Sequence, residues 1–155
     1  MINLDRLEQA IAIMERAGNL YMGGEFQTGD VLFGTEEELH ACGNSACFAG
    51  WIAVSPEFQA AGGCPDYDGS PSSSETAGEA VAAWLETDNV KAVNLLIYGE
   101  AWGADESFLK VLEKHSIPFC SASDGHCTVL EDWKDYTAQD VIKYLNALKD
   151  LVYSK

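Results

Sequence analysis

Basic residues are scarce in this 155-residue chain: nine Lys and Arg stand against 25 Asp and Glu, for a formal net charge of −16 with His neutral. Between Arg16 and Lys91 there is no Lys or Arg at all, while the same interval holds twelve carboxylates. Affinity for nucleic acid or anionic lipid depends on neutralising phosphate with cationic side chains, so this balance disfavours direct nucleic-acid or membrane binding. No apolar run approaches the roughly 20 residues of a membrane span. The stretch MINLDRLEQAIAIMERAGNL carries acids where a secretory signal would start with basic residues. No CxxC pair occurs, and five cysteines without a regular framework read as reduced thiols. These absences lead to the expectation of a cytoplasmic protein.

What is present is the composition of a folded domain, with 47% apolar and 10% aromatic residues. A chain of this length fits one domain that buries roughly two-thirds of its unfolded surface. The expectation is a single acidic globular domain over 1–155, mainly α (α+β), with about five or six helices. Leu4, Leu7, Ile11 and Met14 recur at helical spacing behind Asn3 as N-cap, and Gly18 follows as a stop. Ser45 is placed to cap a helix over 46–54, closed by Ser55 and Pro56, with one more turn over 57–61 before Gly62 and Gly63. Further helical patterns cover 76–86, 89–98 and 104–114, and Thr137 caps a last helix that carries Val141, Tyr144, Leu145, Leu148 and Val152. Between 20 and 43, four glycines leave at most two short extended pieces, around Phe26 and Val31 to Phe33. SIPFCSASDGHCTVLEDW alternates around Asp124 and Gly125, so 115–135 reads as a β-hairpin insertion.

The stretch HACGNSACFAGWIA, residues 40–53, offers three chemistries. A thiolate in the first turn of a helix is stabilised by unpaired amides and the dipole, which makes Cys47 a candidate nucleophile with His40, His115 or His126 as base. Its surroundings echo the papain-like signature imperfectly, because two extra residues separate Gly43 from Cys47 and the histidines come too early. A structural zinc would draw on His40, Cys42, Cys47 and Cys64, or on Cys120, His126 and Cys127, although the spacing lacks tight ligand pairs. In the third reading Cys47 is a small buried side chain, because free cysteine is among the most buried residue types. DYDGS at 66–70 alternates oxygen ligands but lacks the EF-hand continuation and its glutamate. No cofactor is implied.

CGNSACFAGW followed by SPEFQAAGG, then LLIYGEAW and a threonine-capped terminal helix, resembles a group of uncharacterised small proteins common in bacteriophage and bacterial genomes. Their mark is Cys-Gly-Thr or Ser, two small residues, Cys, two residues, Gly, then His or Trp and Ala. The resemblance spans roughly residues 1–102 and 136–150. Asn44 stands here where Thr is usual and Trp51 where His often stands, so a role for that histidine would be lost. The stretch then reads as a joint in which Gly43 turns the chain, Asn44 or Ser45 caps and Gly50 permits a close helix crossing.

The resemblance implies a phage setting and a bacterial host cell. In that setting a carboxylate array can stand in for the phosphates of nucleic acid on a basic protein surface, as a DNA mimic does. The expected activity is binding and inhibition of a host protein, such as a nucleic-acid-acting defence enzyme, making this a counter-defence protein rather than an enzyme. Candidate partner-binding residues are Glu36, Glu37, Glu38, Asp66, Asp68, Glu79, Glu86, Asp88, Asp132 and Asp135. Glu75 can also contribute, and Trp133 is a possible aromatic anchor. High negative charge also serves solubility alone. A Cys47 hydrolase or transferase and a zinc-stapled domain are the alternatives.

Overall fold

Asn3 is extended, and its side-chain oxygen accepts from the N–H groups of Asp5 and Arg6 at 3.0 and 3.2 Å. Two of the orphan donors at a helix start are thereby satisfied, and α1 (Leu4–Arg16) follows. It ends where Ala17 turns extended, its N–H donating to Ile13 O at 2.9 Å. Leu7, Ile11 and Met14 are buried as their spacing predicts, together with Ala10 and Ile13. The computed structural model describes residues 2–17, 19–20, 26–27, 45–46, 48–63, 77–88, 93, 110, 113–116 and 137–153. Among these the chain is mainly α.

Three two-residue strands accompany the helices: β1 (Asn19–Leu20), β2 (Phe26–Gln27) and β3 (Ser45–Ala46). β3 is central, parallel to β1 with Asn19 opposite Ser45, and antiparallel to β2 with Phe26 opposite Ala46. This corrects the expected role of Ser45 as a helix cap. Pairing with two distant strands holds Ser45 in a ladder, and the next helix, α2 (Phe48–Val54), begins three residues later. Tertiary pairing of the backbone has overridden a local capping signal.

All seven residues of α2, FAGWIAV, are buried, so this helix is enclosed on every side. Ser55 then serves both ends of a joint. Its hydroxyl donates to Ile52 O at 2.7 Å and accepts from Phe58 N–H at 3.3 Å, closing α2 and capping α3 (Pro56–Ala60). α3 finishes in a Schellman motif: Gly63 N–H reaches Phe58 O, Gly62 N–H reaches Gln59 O, and Gly62 sits at φ +91°. The expected stop at these glycines therefore stands.

α4 (Ala77–Trp84) and α5 (Ala138–Tyr153) complete the five helices among the described residues. α5 lies along α1, tied by a Lys149 to Glu8 ion pair, while α2 touches α1, α3 and α4. Buried residues from all five form one core cluster, which includes Trp51, Phe58, Trp84 and Tyr144. Within the patterns expected over 89–98 and 104–114, Val93, Lys110, Glu113 and Lys114 are helical. The rest of those patterns, and all of the expected hairpin beyond Ser116, lie outside the described residues. No described helix is long and apolar enough to cross a membrane.

The start of α5 is a capping box. Thr137 Oγ1 accepts from Asp140 N–H at 3.3 Å, while Asp140 Oδ2 accepts from Thr137 N–H at 3.0 Å and from its hydroxyl at 2.7 Å. Partial burial opposes the Asp140 charge, but the bonds from Thr137 and the nearby Lys143 ammonium outweigh it and hold the carboxyl below its ordinary value. A carboxyl depressed by folding contributes stability that is fully present above its unfolded pKa and lost as pH falls through the folded one. Thr137→Ala should cost about 1 kcal/mol, or roughly 2–4 °C in Tm. Melts of the wild type and Asp140→Asn should differ at neutral pH and converge in acid; a gap that ignores pH would show that the charge is irrelevant to the box.

Candidate functional site

The N-cap of α1 is docked onto the end of α4, because Asn3 N–H donates to Leu85 O at 2.8 Å. This contact sets the first turn of α1 beside the C-terminal turn of α4, and the turn after α3 closes the third side. A groove results, with two halves of about 320 and 620 Å³ that share Arg6, Ala61 and Glu86. Phe58, Ala80, Ala83 and Trp84 give the smaller half an apolar wall. Asp5, Gln9 and Glu57 line the larger half.

The aromatic wall is held from two directions. Phe58 meets Trp84 edge to face, with ring centroids 6.1 Å apart at 70°, and the Arg6 guanidinium lies 5.6 Å from the Trp84 ring centroid. Glu57 is tied to Arg16 at 2.6 Å. Among the described residues, two buried polar atoms lack a hydrogen-bond partner, Gln9 Oε1 and Trp84 Nε1, and both belong to groove residues. An unsatisfied buried group of this kind costs about 1–3 kcal/mol.

Glu86 departs from local rules twice. α4 ends in the same Schellman pattern as α3, with Thr87 N–H on Ala82 O and Glu86 N–H on Ala83 O. The left-handed position that Gly62 fills after α3 is here filled by Glu86, at φ +55°. A carboxylate just beyond a helix C-terminus also opposes the helix dipole.

Of the candidate partner-binding residues, Glu79, Glu86 and Asp88 are among the described residues. Glu79 is half-buried in the first turn of α4, while Glu86 and Asp88 are exposed at its far end. Glu36, Glu37, Glu38, Asp66, Asp68, Glu75, Asp132, Trp133 and Asp135 lie outside the described residues, as do Cys47, His126, His40, Cys42, Cys64, Cys120 and Cys127. His115 is half-buried in a turn. No group of three or more potential metal ligands occurs among the described residues. The groove brings Glu86 together with Asp5 and Glu57, which the sequence reading did not single out. Glu86 was a candidate through its charge, while its left-handed position could have been marked beforehand only by the absence of glycine at the end of α4.

Glu86→Gly should stabilise the fold by about 0.5–1 kcal/mol, because glycine adopts positive φ freely while losing more entropy on folding. Thermal unfolding would read this as a rise of roughly 1–4 °C; a fall would show that the carboxylate holds the turn. Gly63→Ala should do the opposite. A Cβ there would stand 2.2 to 2.5 Å from ring carbons of Phe58, which is buried against Trp84, so a loss on the order of 1–3 kcal/mol is expected in the same assay.

A scan of protein-family models and searches of curated proteins and of solved structures return no match to this chain.

Proposed function

We propose that this protein is an acidic binding protein that covers a basic, nucleic-acid-binding surface of another protein and so inhibits it. The observation that carries the reading is the charge itself: −16 overall, with no cation between Arg16 and Lys91. Exposed carboxylates at Glu86 and Asp88 beyond α4, and at Asp5 in the first turn of α1, are consistent with it. A surface of this sign repels nucleic acid and attracts the lysines and arginines that would bind it. In the phage setting that the Cys-Gly motif implies, the partner is a host protein acting on nucleic acid. Glu36, Glu37, Glu38, Asp66, Asp68, Asp132 and Asp135 would extend the acidic surface, with Trp133 as an anchor.

Electrostatic capture weakens with salt, because exposed charges are screened over about 10 Å at 0.1 M ionic strength. Tagged protein should retain a nucleic-acid-acting protein from bacterial lysate at low salt and release it at moderate salt. The retained protein, once purified, should lose its nucleic acid to this one in competition. Charge reversal at Glu36, Glu37 and Glu38 should weaken retention more than Cys47→Ala does. Equal effects, or capture that survives salt, would sink the reading.

A further inference from the structure

The groove between α1, α3 and α4 holds opposite charges that do not meet. Arg6 and Glu86 line both of its halves, yet no ion pair joins them. Neither makes an ion pair with another of the described residues. With 25 carboxylates for nine cations, an arginine without a carboxylate is conspicuous. Arg16, Lys143 and Lys149 each have one. Arg6 is instead engaged over the face of Trp84, and Glu86 is set by the left-handed turn that ends α4.

The two unpartnered buried atoms repeat this pairing in neutral form. Trp84 Nε1 is a donor without an acceptor, and Gln9 Oε1 is an acceptor without a donor. One belongs to the smaller half of the groove and the other to the larger. Solvent does not reach either atom. The two atoms are therefore no part of the groove's accessible surface, and Arg6 and Glu86 are the groups that a ligand would meet.

We propose that this groove binds a small zwitterion of the α-amino-acid class. The ligand carboxylate faces Arg6, its ammonium faces Glu86, and its apolar side chain lies against Phe58, Ala80, Ala83 and Trp84. The other charged groups of the groove are Asp5 and Glu57 in its larger half, where Glu57 is tied to Arg16; a simple anion would meet these and Glu86 as like charges, and a simple cation would meet Arg6. A zwitterion is complementary to both, and the smaller half, about 320 Å³ and open to solvent, would hold the ligand partly exposed. This site goes beyond the acidic-surface reading, since a neutral small ligand and a basic protein partner make different demands, and either can fail alone.

The test is an NMR titration of the ¹⁵N-labelled full chain with L-leucine, followed at the Trp84 indole N–H and at the amides of Gly62, Gly63 and Glu86. Saturable shifts at these signals are expected. 4-Methylpentanoate, which keeps only the carboxylate, and isopentylamine, which keeps only the amine, should bind at least about tenfold more weakly, since each lacks one charge-assisted contact. N-acetyl-leucine amide should give no saturable shift. Glu86→Gly, expected to fold at least as well as the wild type, should weaken leucine binding by at least about tenfold, as should Arg6→Gln. The proposal is overturned if leucine gives no saturable shift, if the single-charge or blocked analogues bind as well as leucine, or if Glu86→Gly leaves leucine binding unchanged. A response to tri-arginine without one to leucine would also overturn it, and would make the groove a site for basic peptide.

Discussion

α2 has no polar side chain to show to water, and all seven of its residues are buried. A helix that is apolar all round requires neighbours on every side, and this requirement organises the described part of the fold. α1, α3 and α4 all touch α2, and α5 in turn covers α1. β3 leads towards the start of α2, so the small three-stranded ladder is placed at the mouth of the buried helix. Trp51, Phe48 and Ile52, fully buried, fill the space between the surrounding helices. Their burial is worth roughly 1.5–3 kcal/mol for each large apolar side chain, well above any surface ion pair here.

Two helix endings built on the same hydrogen-bond pattern then decide the surface feature of greatest interest. After α3 the left-handed residue is Gly62, which adopts this backbone at no steric cost, and the next glycine brings the chain against Phe58. After α4 the same position is Glu86. Both turns, with the capped start of α1, enclose the groove that holds Arg6 and Trp84. Glu86 shares a left-handed backbone with one other non-glycine residue among those described, Ser116 at φ +51°, and a strained position of this kind is where strain and function commonly coincide.

Three of the cations among the described residues serve as ties. Lys149 joins α5 to α1, Arg16 joins the end of α1 to Glu57 in α3, and Lys143 supports Asp140 within α5. Each is an exposed or half-exposed pair that contributes little to stability alone. None of these three ties involves the exposed carboxylates at Glu86 and Asp88. Net acidity and the Arg6 exception are thus two sides of one distribution.

Much of this was decided locally and was readable in the residue order. The Asn3 cap, the 3–18 apolar spacing, the Ser55–Pro56 break, the Gly62–Gly63 stop and the Thr137 box depend on contacts within about one helical turn. Sequence patterns encode such contacts directly. The net charge and the helical class were legible for the same reason, being sums over residues. The pairing of Ser45 with residues 19 and 27 was not, because a two-residue strand carries no periodicity and its partners are distant in the chain. Nor could the order of residues place Arg6 over Trp84, or set Asp5, Glu57 and Glu86 around one groove. Those meetings depend on the angle at which three helices pack on α2, and only the tertiary structure determined that.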